Sequence, residues 1–332
     1  MNKKPISSSP RKRQFTVGLD LGGTKLAAAL CDDQGRILAF RKESITHLKS
    51  DPKKGPKLIT ELMGQMADSF RVEFPEAFVA KSFKGVGLAS AGPLNVDEGK
   101  LIRPSNFPGW INVPIRQLLV ENLKQQGIRG PVHFQNDAIA AAFAEGWVGG
   151  AKGLQSYAVV TIGTGIGSGV IFRGIPLQTN GMGSEFGHVI AQSGQIRKPQ
   201  DLERFTVEGL ASGTGILRRA RDIGFAGHSM EELVMAMDKG ETRYQDLFDV
   251  AAESLAALCF NLSIGINPQK ILFSGGLIKV RKLYWQRLQS HYKMLIETFN
   301  PAFKCPLVVA QAKNKAGVIG AASLPFRLKS VL

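Results

Sequence analysis

The sequence predicts an α/β protein built as two similar halves. Two observations predict it. A strand, glycine turn, strand layout over residues 15–43 returns over residues 156–174. After each copy, helix-spaced and strand-like segments alternate. The composition agrees: 332 residues, 44% hydrophobic and 21% charged, suit a globular chain long enough for two domains.

The elements follow in order. A short apolar run from Phe15 ends in Asp20, Gly22-Gly23 is a turn, and Leu26 to Cys31 is a second apolar run. Asp32 to Gly35 turns again, and Arg36 to Glu43 reads as a third strand, so the chain opens as a β-meander. Leu58, Ile59, Leu62, Met63, Met66 and Phe70 carry the spacing of one helix face, which predicts a helix over 54–74. Phe83 to Ala89 is a buried strand entering the turn Ser90-Ala-Gly-Pro93. Pro114 to Lys124 reads as a helix with proline in its first turn. Pro131 to Gln135 is a strand, and Asn136-Asp137 starts an Ala-rich helix to about Trp147. The layout then restarts: strand Ser156 to Ile162, turn Gly163-Thr-Gly-Ile-Gly167, strand Ser168 to Phe172. A helix from about Tyr244 to Ile266, strand 270–273, the turn Ser274-Gly-Gly276, a helix over 280–299, strand 306–310 and a helix over 316–326 complete the chain.

Composition excludes several classes. No unbroken apolar run approaches the roughly 20 residues of a membrane span. Residues 1–13 are polar and basic, without the apolar stretch of a secretory signal. Cys31, Cys259 and Cys305 form no metal-ligand spacing and no disulfide framework, which fits a reducing cytoplasm. The net charge of +15 is spread over the tail, Lys49 to Lys57 and the 195–220 region. No basic helix with interleaved aromatics accompanies it, so nucleic acid is not the expected partner.

The chemistry-bearing stretches are the glycine turns and one strand–helix junction. In Asp20-Leu-Gly-Gly-Thr-Lys25 the glycines let backbone N–H groups approach an anion, Thr24 and Lys25 add donors, and Asp20 offers oxygen to Mg²⁺ or its waters. A Gly-Gly pair is also an ordinary β-turn. Asp137 stands where a strand meets a helix N-terminus, which favours a carboxylate. It suits a base that orients a hydroxyl and takes its proton. It also suits a helix cap, and the two roles are compatible. Glu185 and His188, three apart, can share a face of a helical turn or be a surface pair.

Taken together, Asp20 to Lys25, Asn136-Asp137, Gly163-Thr-Gly-Ile-Gly167, Glu185-Phe-Gly-His188, Glu208-Gly-Leu-Ala-Ser-Gly213, Ser274-Gly-Gly276 and Gly317-Val-Ile-Gly-Ala-Ala322 resemble the motif set of the ROK family. Bacterial sugar kinases and their repressor relatives form that family. The resemblance spans about 15–322. It implies two similar actin-like (ribonuclease H-like) α/β domains around a central cleft. Residues 15–136 with 316–332 would form the smaller domain and 137–315 the larger, after a disordered tail over 1–14. It implies ATP and Mg²⁺, with Asp20 near the metal, through water. Gly22, Gly23, Thr24, Lys25, Gly163, Thr164 and Gly165 would lie at the phosphates, and Gly275 and Gly276 at the nucleotide. Asp137 would be the base. Gly92, Asn106, Asn136, Glu185, His188 and Glu208 would meet the sugar, with Trp110 a wall or core residue. A homodimer is implied as well.

One departure is clear. Many members carry a cysteine-rich zinc loop after the histidine, and residues 189–203 here contain no cysteine, so no zinc is expected. The reading is then an ATP-dependent hexose kinase, glucose O6 its first acceptor. N-acetylmannosamine, N-acetylglucosamine or fructose as acceptor, or polyphosphate as donor, are the alternatives within enzymes. A sugar-sensing regulator is the alternative of another class. Only 14 residues precede the first strand, too few for the winged helix-turn-helix that such regulators add.

Overall fold

Strand formation begins at Phe15, where an alternation of apolar residues lets β1 (Phe15–Leu21) lie buried in the middle of a sheet. The structure, a computed structural model, describes residues 13–327; the expected tail lies outside them except for Arg13 and Gln14. β2 (Lys25–Asp32) and β3 (Ile37–Ser44) extend β1 as an antiparallel meander. α1 (Gly55–Glu73) follows, buried along Ile59, Met63, Met66 and Phe70. β4 (Phe83–Ser90) pairs parallel to β1, and the short hairpin β5 (Leu94–Asn95) and β6 (Lys100–Leu101) leads to α2 (Ile115–Gln125). β7 (Val132–Asn136) completes a sheet of order β3-β2-β1-β4-β7, and α3 (Asp137–Val148) leaves its end.

A second sheet repeats this plan. β8 (Tyr157–Ile162), β9 (Ile166–Phe172) and β10 (Ile175–Pro176) form the meander. Three helices come next: α4 (Val207–Ala211), α5 (Gly213–Asp222) and α6 (Met230–Asp238). α7 (Gln245–Gly265), β11 (Ile271–Ser274), α8 (Trp285–Phe299) and β12 (Leu307–Val309) follow, giving sheet order β10-β9-β8-β11-β12. α9 (Ala316–Arg327) ends the described chain. Contacts divide the molecule into two compact units, one running to Asp137 and resuming at Val318, the other Ala138–Gly317.

Backbone contact explains why α9 belongs with the first sheet. Gly18 faces Val318 O and Ala322, and Gly87 faces Ala321 O, so closely that a Cβ at either would overlap them. Buried Thr16 Oγ1 donates to Ala322 O at 2.7 Å. In the second unit Gly169 sits as tightly against Ala138 O, seating α3 on β9. Buried Glu145 on α3 accepts from the N–H groups of Gly150 (2.7 Å), Gln311 (2.8 Å) and Ala312 (2.6 Å), which satisfies its charge with backbone alone.

Three expectations change. The helices α4, α5 and α6 occupy a region where no helix is predicted, noted only for its charge over 195–220 and for the motif Glu208 to Gly213. Their N-caps were legible: Thr206, Ser212 and Ser229 each accept from the N–H three residues on. The helix expected from 280 starts at Trp285, after a 3₁₀ stretch Gly276–Leu283 that ends at Tyr284, whose φ is −140°. Finally, Thr242–Gly265 is by length and composition apolar enough to cross a bilayer, the one such helix among the described residues. Asp246, Asp249 and Glu253 interrupt its apolar run in sequence, yet Leu247, Phe248, Leu255, Leu258 and Leu262 are all buried in the second core.

The glycine contacts make a direct test. Gly87→Ala should destabilise by about 3 kcal/mol, the upper range for overpacking, because backbone would have to move. Gly265→Ala meets nothing within 4 Å at the end of α7 and should be neutral or gain up to about 1 kcal/mol. Denaturant midpoints of the two variants check this; equal midpoints would contradict the packing.

Candidate active site

Strand register sets the first unit's site. Leu21, Ser90 and Asn136 are aligned across the parallel strands β1, β4 and β7. The turns that follow all three therefore leave the same carboxyl edge of the sheet, where open α/β sheets bind ligands. Those turns carry Gly22-Gly23, Gly92 and Asp137. One residue back, Lys42, Ala27, Asp20, Ala89 and Gln135 form a cross-strand row. Alanines flank Asp20 on both sides, so its carboxylate has room but little water. Burial first, and then the nearby Asp137 carboxylate, push its pKa up to about 7, against the opposing pull of Lys42.

The Gly22-Gly23 turn is braced from several directions. Gly22 N donates to Lys25 O at 3.0 Å, closing the turn, and Ile45 N donates to Thr24 O at 3.0 Å. Gly23 packs on the Asn106 side chain: a Cβ there would lie 3.0 Å from Asn106 Cγ. Lys49, read from sequence only as part of a basic stretch, donates from Nζ to Gly23 O and to Asn106 O. Thr24 and Lys25 are exposed. Asn136 is buried, its N–H donating to Gln135 Oε1 at 2.7 Å. Gly92 has only ordinary contacts, with Asn136 Nδ2 3.6 Å from where its Cβ would be. Trp110 is fully buried, its ring tilted against that of Phe107, a core residue.

The second unit's turn is tighter than expected, because β9 begins at Ile166. Gly163 N donates to Gly165 O at 2.8 Å. The first N–H groups of α5 hold the turn's carbonyls: Gly213 N to Gly163 O (2.8 Å) and Thr214 N to Thr164 O (3.2 Å). Glu208 Oε2 accepts from Ile166 N at 2.6 Å, and a Cβ on Gly165 would come within 2.5 Å of that oxygen. So one carboxylate oxygen of the expected sugar ligand braces the glycine turn. β11 ends at Ser274, in register with Thr161, the last residue but one of β8. Beyond them, Gly275 has φ +95° and lies against the Ile162 backbone, so glycine is required there; Gly276 faces open space.

Glu185 and His188 lie on one 3₁₀ turn, His188 N donating to Glu185 O at 3.0 Å, and both are exposed. The turn is fastened to β9. Gly187 packs on Ile166 O, and Ser168 Oγ donates to Ser184 O while accepting from Phe186 N at 2.9 Å. Ser168 was not singled out from sequence, although alternation in β9 points it off the sheet. The segment after His188 offers no thiol for zinc. It is closed by backbone: Ala191 N to Phe205 O (2.8 Å), Val207 N to Val189 O (3.0 Å) and an Ile190–Thr206 bridge. Among the described residues no cluster of three or more His, Cys, Asp or Glu side chains is placed to hold a metal.

The raised Asp20 pKa has a pH consequence. An unfolded Asp releases its proton near 3.8, the folded one near 7, so the native state binds more protons between those values. Asp20 therefore weakens stability increasingly as pH rises through that window. Without divalent cations, Asp20→Asn should gain thermal stability over the unsubstituted protein progressively from about pH 4 to 7 and keep that gain above it. Parallel melting curves across that range would refute the assignment.

Comparison with known proteins agrees with this arrangement. A glucokinase of Halalkalibacterium halodurans is 31% identical, the match covering 92% of this chain and 93% of the relative. A fructokinase of Zymomonas mobilis is 29% identical over 91% and 93%. The crystal structure of a ROK hexokinase from Thermus thermophilus superposes with a TM-score of 0.78 at 31% identity, covering 93% of this chain and 97% of that one. The model of the ROK family matches residues 16–327, nearly all that the structure describes, and the chain belongs to the ROK family.

Proposed function

We propose that the protein is an ATP-dependent hexose kinase transferring the γ-phosphoryl group to a sugar hydroxyl, with O6 of glucose the first candidate. One observation carries the reading: Asp137 opens α3 at the carboxyl edge of the first sheet, electrostatically coupled to Asp20, in the row of turns that holds Gly22-Gly23. Phosphoryl transfer is mostly positioning and charge stabilisation, and it needs such a carboxylate for the hydroxyl proton. Asp137 accepts that proton as the hydroxyl oxygen bonds to the γ-phosphorus and the bond to the ADP oxygen breaks. Gly22 N and Gly163 N close their own turns and Ile166 N meets Glu208, so phosphate contact falls to Gly23, Thr24, Thr164 and Gly165, with Lys25 adding charge. Gly275 and Gly276 admit the nucleotide. Asn106, Glu185, His188 and the remaining Glu208 oxygen take sugar hydroxyls, which both give and accept hydrogen bonds. Gly92 and Asn136 complete that contact.

Asp20 fits a hard cation, since a second carboxylate beside it opposes its ionisation. Mg²⁺ held there, directly or through water, would neutralise charge on the phosphates. Zinc does not fit the cysteine-free 189–206 segment. The three buried cysteines suit a reducing cytoplasm. Exposed Phe172, Ile175, Leu177 and Met182 suit a homodimer contact. The fructokinase relative keeps other acceptors open, and the +15 charge makes polyphosphate a donor worth testing.

ADP or phosphate-chain consumption across hexoses and N-acetylhexosamines, with ATP and polyphosphate, tests the reading. Glucose with ATP should give the highest kcat/KM. Asp137→Asn should lower kcat by at least about 10³-fold, within the range attributed to a general base, while glucose binding by calorimetry stays within about threefold. Turnover near the unsubstituted rate in that variant would remove Asp137 as the base.

A further inference from the structure

Within the basic stretch 49–57, Lys49 turns its ammonium onto main-chain carbonyls. It is half-buried, and its ammonium is held by two main-chain carbonyls, Gly23 O and Asn106 O, the latter at 3.0 Å. The Phe107 ring lies beneath it, 5.7 Å from Nζ to the centroid. An ammonium is a compact charge with three donors, suited to tying together carbonyls from separate segments. The two carbonyls here belong to the phosphate-side turn and to the loop that carries the expected sugar ligand Asn106.

Both ends of this tie are fixed. On one side, Leu48 N and Lys49 N donate to Ile45 O at 3.0 and 3.1 Å, and Ile45 N donates to Thr24 O. Lys49 thus grows from a short turn rooted on the same Gly22–Thr24 hairpin. On the other, Phe107 is fully buried with its ring tilted against Trp110, centroids 4.7 Å apart, and Trp110 Cζ2 lies 3.2 Å from where a Cβ on Gly55 would be. Between them the Asn106 side chain rests on the Gly23 backbone, with no room for a Cβ to separate them comfortably. Neither segment can shift without the other while the ammonium holds both.

We infer that Lys49 is a positioning residue that pins the phosphate turn at Gly23 to the sugar loop at Asn106, so that filling either substrate position favours filling the other. The inference rests on the kinase reading above and goes beyond it. Coupling of this kind is reciprocal: the factor by which sugar tightens nucleotide equals the factor by which nucleotide tightens sugar. Lys49 touches neither reacting atom in this scheme, so its loss should act on binding and coupling more than on the chemical step.

The test uses the full chain with Lys49→Met and Lys49→Arg. Calorimetry measures binding of a non-hydrolysable ATP analogue with Mg²⁺, alone and with saturating glucose, and hydrogen exchange follows the amides of 22–26 and 105–110. In the unsubstituted protein glucose should tighten the analogue severalfold. In Lys49→Met that factor should fall to about one, KM for both substrates should rise about tenfold with kcat changed less than threefold, and exchange should accelerate in both segments together. Lys49→Arg should recover part of the coupling. Unchanged exchange, or acceleration in only one segment, overturns the pin. Faster exchange with the coupling factor retained, or an active unsubstituted protein with no coupling, overturns its role. An unsubstituted protein that turns over no hexose overturns the kinase reading instead, and the exchange result then decides the pin by itself.

Discussion

The first unit depends on two glycines that let a helix backbone touch a sheet. Gly18 and Gly87 stand on the central strands β1 and β4, and the carbonyls of Val318 and Ala321 occupy the space their side chains would need. Thr16 adds a buried hydrogen bond to Ala322 O. Through these contacts the end of the described chain is packed against its beginning. The strands seated this way are the ones whose carboxyl ends carry Asp20, Gly22-Gly23 and Gly92. Packing at one face thus sets the position of the turns at the edge.

The two sheets share an order, and each delivers a glycine turn at the carboxyl end of its leading strand. The turns are held by different means. In the second unit a carboxylate, Glu208, and the first N–H groups of α5 fix Gly163 to Ile166. In the first, an ammonium, Lys49, and the turn that follows β3 fix Gly22 to Thr24. Each turn closes through one internal bond, while its carbonyls are engaged from outside.

Much of this was legible in advance. Alternation and turn chemistry placed most strands within a residue or two, since burial on one or both faces leaves a local trace. Of the missed helices α4 to α6, α4 is only five residues long and α5 breaks its apolar spacing with Arg218, Arg219 and Arg221; caps at Thr206, Ser212 and Ser229 were a signal for all three. The break at Tyr284 was missed for the opposite reason. Apolar spacing continues from Leu277 through Leu288, although the backbone changes from 3₁₀ to α-helix. α7 was legible as an apolar helix from about Tyr244 to Ile266, and its apolar side is buried in the second core.

What the sequence determined by itself were features written in neighbouring residues: the glycine turns, the strand-to-helix junction at Asn136-Asp137, the Glu185–His188 turn, and the missing thiols after it. Tertiary structure decided the rest. Asp20 acquires its raised pKa from burial and from Asp137, more than a hundred residues away in the chain. Glu208 spends an oxygen on Ile166, and Lys49 joins Gly23 to Asn106. A carboxylate or an ammonium has the same local sequence signature whether it faces water or braces a turn. Its role is set by which distant backbone groups folding brings within hydrogen-bond reach.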